Sequence, residues 1–217
     1  MQKQVFPLLM KIQLSNKSVT TIIDLLRHGD VEGGRKYRGQ LDDPLSELGW
    51  KQLRTATSKK QDWQHIITSP LKRCAEFADE LSQTHSIPLK TESKLKEVSF
   101  GLWEGKTAEQ LLSNEPKEIK EYWDDPINVT PPQGECLLDF EKRIMTAWVK
   151  MLHEYQGQHI LMLSHAGVMR IIICNVLGMP LTELFKLDVA LAKFSRIQIE
   201  HADGKDWPRL ISHGGEF

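Results

Sequence analysis

Hydrophobic residues along this chain fall into two patterns: short unbroken runs, and longer stretches in which they recur every three or four positions. Ile22-Ile23-Asp24-Leu25-Leu26 and Ile160-Leu161-Met162-Leu163 are runs of the first kind, with the length and branching of strands buried on both faces of a sheet. The strands expected on this basis are Thr20–Leu26, His65–Thr68, Ile87–Lys90 and His159–Ser164, with Pro88 placing the third at a sheet edge. Phe194–Ile199 alternates as a late strand, and Arg209–Ser212 adds another. The helical pattern begins after Ser46, a suitable N-cap for a helix through Leu53 and Ala56. A second helix carries Leu71, Cys74, Phe77, Ala78 and Leu81, with Ser69 as its cap and Pro70 in its first position. The longest opens at Gly134-Glu135 and repeats Leu137, Phe140, Ile144, Ala147, Trp148, Met151 and Tyr155; another follows Gly167 through Val168, Ile171, Ile172 and Leu177. Strands alternating with helices predict an α/β domain: a mostly parallel central sheet of about six strands, flanked by helices on both faces. Residues 106–135 are polar, with helical pieces at Ala108–Leu112 and Lys117–Trp123, and suit a small helical excursion over the sheet.

Length and charge narrow the picture. At 217 residues the chain suits one domain over 20–217, preceded by an N-terminal extension over 1–19. The apolar stretch Val5–Met10 is too short to span a membrane and lacks a small-residue cleavage site. A net charge of −1 supplies no basic field for nucleic acid. The three cysteines, Cys74, Cys136 and Cys174, are an odd number without a CxxC pair, which argues against a disulfide framework or zinc site and favours a cytoplasmic protein. The composition leaves the oligomeric state open.

The chemistry gathers where strands end. Arg27 and His28 close the first strand, and Gly29 lets the backbone turn away. Ligands of open α/β sheets bind beyond the carboxyl ends of the strands, and an Arg beside a His can hold a phosphate with one residue and attack it with the other. Arg35, Lys36 and Arg38 follow in a glycine-containing loop, and at least one of them is expected to touch phosphate. Arg73 falls in the first helical turn after the second strand, where helix terminus and guanidinium both favour an anion. His165 ends the fourth strand, and Glu97 and Glu104 lie in a loop between aromatics and glycines.

These residues resemble the histidine phosphatase superfamily, which includes the cofactor-dependent phosphoglycerate mutases. Leu26-Arg27-His28-Gly29 resembles its defining motif, and Ser69-Pro70-Leu71-Lys72-Arg73-Cys74-Ala75-Glu76 its second-arginine helix. Leu95-Lys96-Glu97, with Phe100-Gly101-Leu102-Trp103-Glu104-Gly105, resembles the proton-donor loop, and Ser164-His165-Ala166-Gly167-Val168-Met169-Arg170 the second-histidine motif. Tyr37-Arg38-Gly39-Gln40-Leu41-Asp42-Asp43-Pro44-Leu45 is similar to the α-ribazole-phosphate phosphatase branch of cobalamin synthesis. Asp30 departs from a usual Glu, Ala166 from a common Gly, and Cys136 from a Ser that often caps the long helix.

The resemblance implies a phosphoglycerate mutase-like fold and a metal-independent phosphomonoesterase without cofactor, acting on a small phosphorylated metabolite. It implies His28 as nucleophile, Arg27, Arg73 and His165 as phosphate ligands, and Glu97 as the acid that protonates the leaving oxygen. Glu104 stands second as acid and, with Arg35 and Arg38, as a substrate contact. A mutase on the same scaffold and a non-catalytic phospho-ligand binding protein are the alternatives. The short loop after His28 speaks against the first, and the presence of His28, Arg73, Glu97 and His165 against the second.

Overall fold

The computed structural model describes residues 18–59, 62–114 and 116–215. Most of the N-terminal extension, residues 1–17, lies outside them, and Val19, assigned to it from sequence, already belongs to the first strand. The elements run β1 (Val19–Arg27), α1 (Glu47–Ala56), β2 (His65–Thr68), α2 (Lys72–His85), β3 (Leu89–Thr91), α3 (Ala108–Asn114), α4 (Pro116–Asp124), α5 (Leu137–Glu154), β4 (His159–Ser164), α6 (Ala166–Leu177), β5 (Phe194–Ala202) and β6 (Lys205–Gly215). Short 3₁₀ turns cover Ser93–Leu95, Gly101–Trp103 and Leu181–Lys186.

The six strands form one sheet in the order β3-β2-β4-β1-β5-β6. β3, β2, β4 and β1 pair in parallel, but β5 runs antiparallel to β1 and β6 antiparallel to β5. The sheet is therefore mixed rather than mostly parallel. For the edge pair the cause is local: β5 and β6 form a hairpin closed by Asp203-Gly204, with φ of 53° and 70° and Ala202 opposite Lys205, whereas β5 meets β1 antiparallel through a long-range pairing. Two successive positive φ angles give a primed turn, whose twist suits an antiparallel pair and for which Asp-Gly is a preferred sequence.

Alternation along the strands fills a core on each face. Ile23, Leu25, Ile160, Met162 and Ile197 pack with α5 and α6 through Phe140, Ile144, Trp148, Val168 and Ile172. Leu26, Ile66, Leu161, Leu163 and Phe194 meet α1 and α2 through Leu53, Cys74, Phe77 and Leu81. Trp103, Leu111, Ile119 and Tyr122 make a smaller apolar cluster beneath α3 and α4.

Caps explain where the helices begin. Ser46 caps α1, its Oγ accepting from Gly49 N at 3.1 Å. Cys136 caps α5 with its sulfur, accepting from Asp139 N at 3.4 Å. α2 corrects the sequence reading, because its N-cap is Leu71, without a side-chain bond, and Pro70 lies outside the helix. Ser69 lies before the helix: its Oγ accepts from Leu71 N at 3.3 Å and also meets a tertiary partner at the site described below. No helix among the described residues is long and apolar enough to cross a membrane.

Candidate active site

Strand register builds the site. Arg27 of β1 pairs with Ser164 of β4, and Leu163 of β4 with Thr68 of β2. One residue beyond β1, β4 and β2 therefore stand His28, His165 and Ser69, all buried. The rings of His28 and His165 lie 5.4 Å apart.

His28 is fixed on every side except one. Its amide donates to Ser164 O at 3.0 Å, and its carbonyl accepts from Ala192 N at 3.2 Å. Its Nδ1 bonds Gly29 O at 2.8 Å. Because a carbonyl only accepts, Nδ1 carries the proton and Nε2 keeps its lone pair. No described residue bonds Nε2. Burial, reinforced by the neighbouring charges of Arg73 and Arg27, pushes the imidazole pKa well below its usual value, so the ring is neutral at neutral pH. Gly29 is required here for closeness rather than for its turn: a Cβ there would sit 2.4 Å from Gly49 O on α1.

Arg73 is oriented by two carbonyls. Its Nη1 donates to Leu41 O and its Nη2 to Gly39 O, both at 2.7 Å, while Nε reaches His165 Nδ1 at 3.3 Å. That last contact leaves His165 protonated on Nε2, which meets Ser69 Oγ at 2.7 Å. Burial and the Arg73 charge hold His165 well below its usual pKa as well. Both ring nitrogens thus have partners within the protein, and a bond from His165 to a ligand oxygen requires exchanging one of them. The thiol of Cys74 is buried against His165, 3.8 Å from Nε2, and burial pushes its pKa up, so it acts as packing.

Arg27 bonds Val189 O through Nη1 at 2.5 Å, and its Nε is buried without a partner. A buried N–H with no acceptor costs free energy, about 1–3 kcal/mol, and an anion held against it would recover that cost.

Glu97 comes to the same place from its loop. Its carboxylate accepts from Gly167 N, at the start of α6, and from Val98 N, each at 3.0 Å. Its charge is felt by both Arg27 and Arg73.

The remaining candidates sit differently. Glu104 Oε1 accepts from Gln40 N at 2.9 Å, Phe100 N at 3.0 Å and Ser99 Oγ at 3.3 Å, which ties the Glu97 loop to the segment carrying Gly39 and Leu41. Arg38 is wrapped by its own loop: it bonds Val31 O, Glu32 O and Gly34 O, and pairs with Asp43 at 3.2 Å. Lys36 also pairs with Asp43, at 2.8 Å, whereas Arg35 is exposed. Two functional groups escaped the sequence reading. Ser69 looked like a helix cap but holds His165, and the Val189 carbonyl that aims Arg27 has no side-chain signal at all. Among the described residues no group of three or more His, Cys, Asp or Glu is arranged to hold a metal ion.

Comparison with known proteins places this arrangement. The chain is 28% identical over 204 residues to bifunctional protein Rv2228c of Mycobacterium tuberculosis, covering 92% of this chain and 56% of that protein. It thus spans about half the length of the mycobacterial relatives it matches. Phosphoserine phosphatase 1 of Hydrogenobacter thermophilus is 27% identical over 198 residues, 89% of this chain and 94% of that one. A putative α-ribazole-5′-P phosphatase from Escherichia coli shares the fold, with a TM-score of 0.75 at 23% identity over 90% of this chain and 96% of that one. A family model matches residues 23–207, and the chain belongs to the histidine phosphatase superfamily (branch 1).

Proposed function

We propose that the protein is a phosphomonoesterase that works through a phosphohistidine on His28. The observation that carries this reading is the state of His28: neutral, with Nδ1–H spent on Gly29 O, and Nε2 unpartnered beside two arginines. Nε2 attacks phosphorus in line, the P–N bond forms, and the bond to the leaving oxygen breaks with its electron pair. Arg27 and Arg73 meet the charge spread over the equatorial oxygens, the first with a buried N–H that has no other acceptor. Glu97 is assigned to give a proton to the leaving oxygen. As a carboxylate it then takes one from the water that displaces His28. Fixed backbone donors from Val98 and Gly167 hold it in place through both steps.

The substrate we favour is α-ribazole 5′-phosphate, on the resemblance of Tyr37–Leu45, with a broad range of small phosphomonoesters as the wider reading. A phosphoglycerate mutase on this scaffold is less favoured, because Arg38 and Asp43 bind the short loop after His28 to itself. The test is phosphate release by EDTA-treated protein from a panel including α-ribazole 5′-phosphate and 3-phosphoglycerate. Release that survives EDTA, with acid-labile phosphate trapped on the native protein and none on His28→Ala, supports the reading. Equal turnover by His28→Ala overturns it, and interconversion of phosphoglycerates without net release favours the mutase.

A further inference from the structure

The proposed acid, Glu97, is mounted on a loop, and a loop by itself holds a carboxylate loosely. On α5, facing that loop, stands Arg143. Its five guanidinium N–H groups are all engaged. Nε and one Nη2 hydrogen meet the Glu135 carboxylate at 2.6 and 2.8 Å. Nη1 donates to Lys94 O at 2.5 Å and Lys96 O at 2.7 Å, and the second Nη2 hydrogen to Glu97 O at 2.9 Å. Three carbonyls within four residues are thus gathered on one planar cation, whose central carbon lies over the Phe140 ring, 4.6 Å from its centre. Glu135 closes the circuit by accepting from Ser99 N at 3.3 Å, beyond Glu97 on the same loop.

We infer that the Arg143–Glu135 pair is a positioning device for the proton donor: it fixes the backbone of residues 94–99 so that the Glu97 carboxylate meets the leaving oxygen. It touches neither phosphate nor the reacting atoms. The arrangement needs an arginine, since an ammonium with three donors on a flexible stem cannot span three carbonyls and a bidentate carboxylate. It also needs Glu135, which fixes the plane of the guanidinium and neutralises its charge, with both side chains about four-fifths buried. The sequence carried a signal for this: Arg143 falls three residues after Phe140 and one before Ile144, inside an otherwise apolar stripe.

The inference rests on Glu97 being the acid, so the experiment separates the two. kcat/KM, which reports the steps through release of the first alcohol, is measured for native, Glu97→Gln, Arg143→Lys and Glu135→Gln proteins over phosphate esters of graded leaving-group acidity. A displaced acid fails most where the leaving oxygen most needs a proton. Arg143→Lys is therefore expected to lose roughly 10- to 100-fold on alkyl phosphates, the scale of a misplacement of about 1 Å. It should lose far less on 4-nitrophenyl phosphate, steepening the dependence on leaving-group pKa as Glu97→Gln does. Glu135→Gln should show the same signature more weakly. A flat dependence in Glu97→Gln overturns the acid assignment. A steep one in Glu97→Gln, with uniform or no loss in both Arg143→Lys and Glu135→Gln, overturns the positioning role and leaves the acid standing. Uniform loss is also what a merely structural role predicts, and thermal midpoints identify a variant that has lost its fold.

Discussion

Gly167→Ala tests the geometry of the acid with a single methyl group. Gly167 is the second residue of α6, and its amide donates to Glu97 Oε2 at 3.0 Å. A Cβ added there would lie 2.3 Å from Glu97 Oε1, 3.1 Å from its Cδ and 3.2 Å from Phe140 Cε1. Ordinary carbon–oxygen contact begins near about 3.4 Å, so roughly 1 Å of overlap must be relieved. The helix start is fixed by α6 and Phe140 by the core, whereas the carboxylate is the end of a flexible side chain, and it moves. A shift of about 1 Å at a catalytic group costs on the order of 100-fold in rate. The fold does not suffer in proportion, because alanine is preferred over glycine in a helix by up to about 1 kcal/mol. The expected result is a protein with an unchanged or slightly raised melting temperature whose kcat/KM on an alkyl phosphate falls about 100-fold. The fall on 4-nitrophenyl phosphate should be much smaller. Steady-state kinetics on the two esters, with thermal denaturation alongside, decide it. If Gly167→Ala turned over alkyl phosphates at the native rate, Glu97 could not be the acid in the position described. If it lost both activities equally, the methyl would be acting on the phosphate site rather than on the acid.

Two further expectations concern stability. His28 and His165 are buried with depressed pKa values, so the folded protein binds fewer protons than the unfolded chain as pH falls below about 6.5. Their contribution is fully present above that pH and is lost below it, by up to about 1.4 kcal/mol per pH unit for each histidine, until the folded-state pKa is reached. Urea unfolding from about pH 7.5 down to 5 should show this slope, and His165→Gln should remove roughly half of it. An unchanged slope would mean that the ring titrates normally in the fold. The buried Asp24 carboxylate accepts from Arg196 at 2.7 and 2.8 Å, Trp63 Nε1 at 2.7 Å and His159 Nε2 at 2.8 Å, away from the reacting groups. Asp24→Asn should cost about 3 kcal/mol in chemical denaturation while leaving kcat of the folded protein intact, and a parallel loss of kcat would show coupling to the site.

What the sequence made legible is what side chains announce. The runs before His28 and His165, with a glycine close behind each, located both parallel strands and the end of the sheet at which they finish. Ser46 announced α1. The antiparallel edge pair was also written there, in the Asp203-Gly204 turn before β6, but the antiparallel meeting of β5 with β1 was not, because periodicity gives a strand without its direction. Ser69 misled because its hydroxyl makes the local bond a cap would make, accepting from Leu71 N at 3.3 Å, while the helix itself starts only at Lys72 and the same hydroxyl also meets His165 at 2.7 Å. The carbonyls of Gly39, Leu41 and Val189 that aim the arginines lay beyond any sequence signal, since every residue offers the same group.

Those carbonyls also explain how the site keeps its charge. Arg196 and Arg143, which serve the fold and the loop, are each paired with a carboxylate that offsets much of their charge. Arg27 and Arg73 are oriented mainly by neutral carbonyl oxygens. A carbonyl fixes a guanidinium in direction without neutralising it, whereas a carboxylate in the same place would compete with the ligand for the cation. Burying positive charge is costly: burial first, and repulsion among the cations after it, depresses the pKa values of Arg27, Arg73, His28 and His165, while the Glu97 charge partly offsets this for the two arginines. Burial first, and the charges of Arg73 and Arg27 after it, keep His28 unprotonated, as the proposed nucleophile requires. On the proposed function, a phosphoryl group would bring its negative charge to the arginines and meet the Nε2 of His28 that no described residue bonds. Affinity for a phosphate dianion would on this reading rest on cations held in place by groups that carry no charge, and readiness of the nucleophile on its burial first and on those cations second.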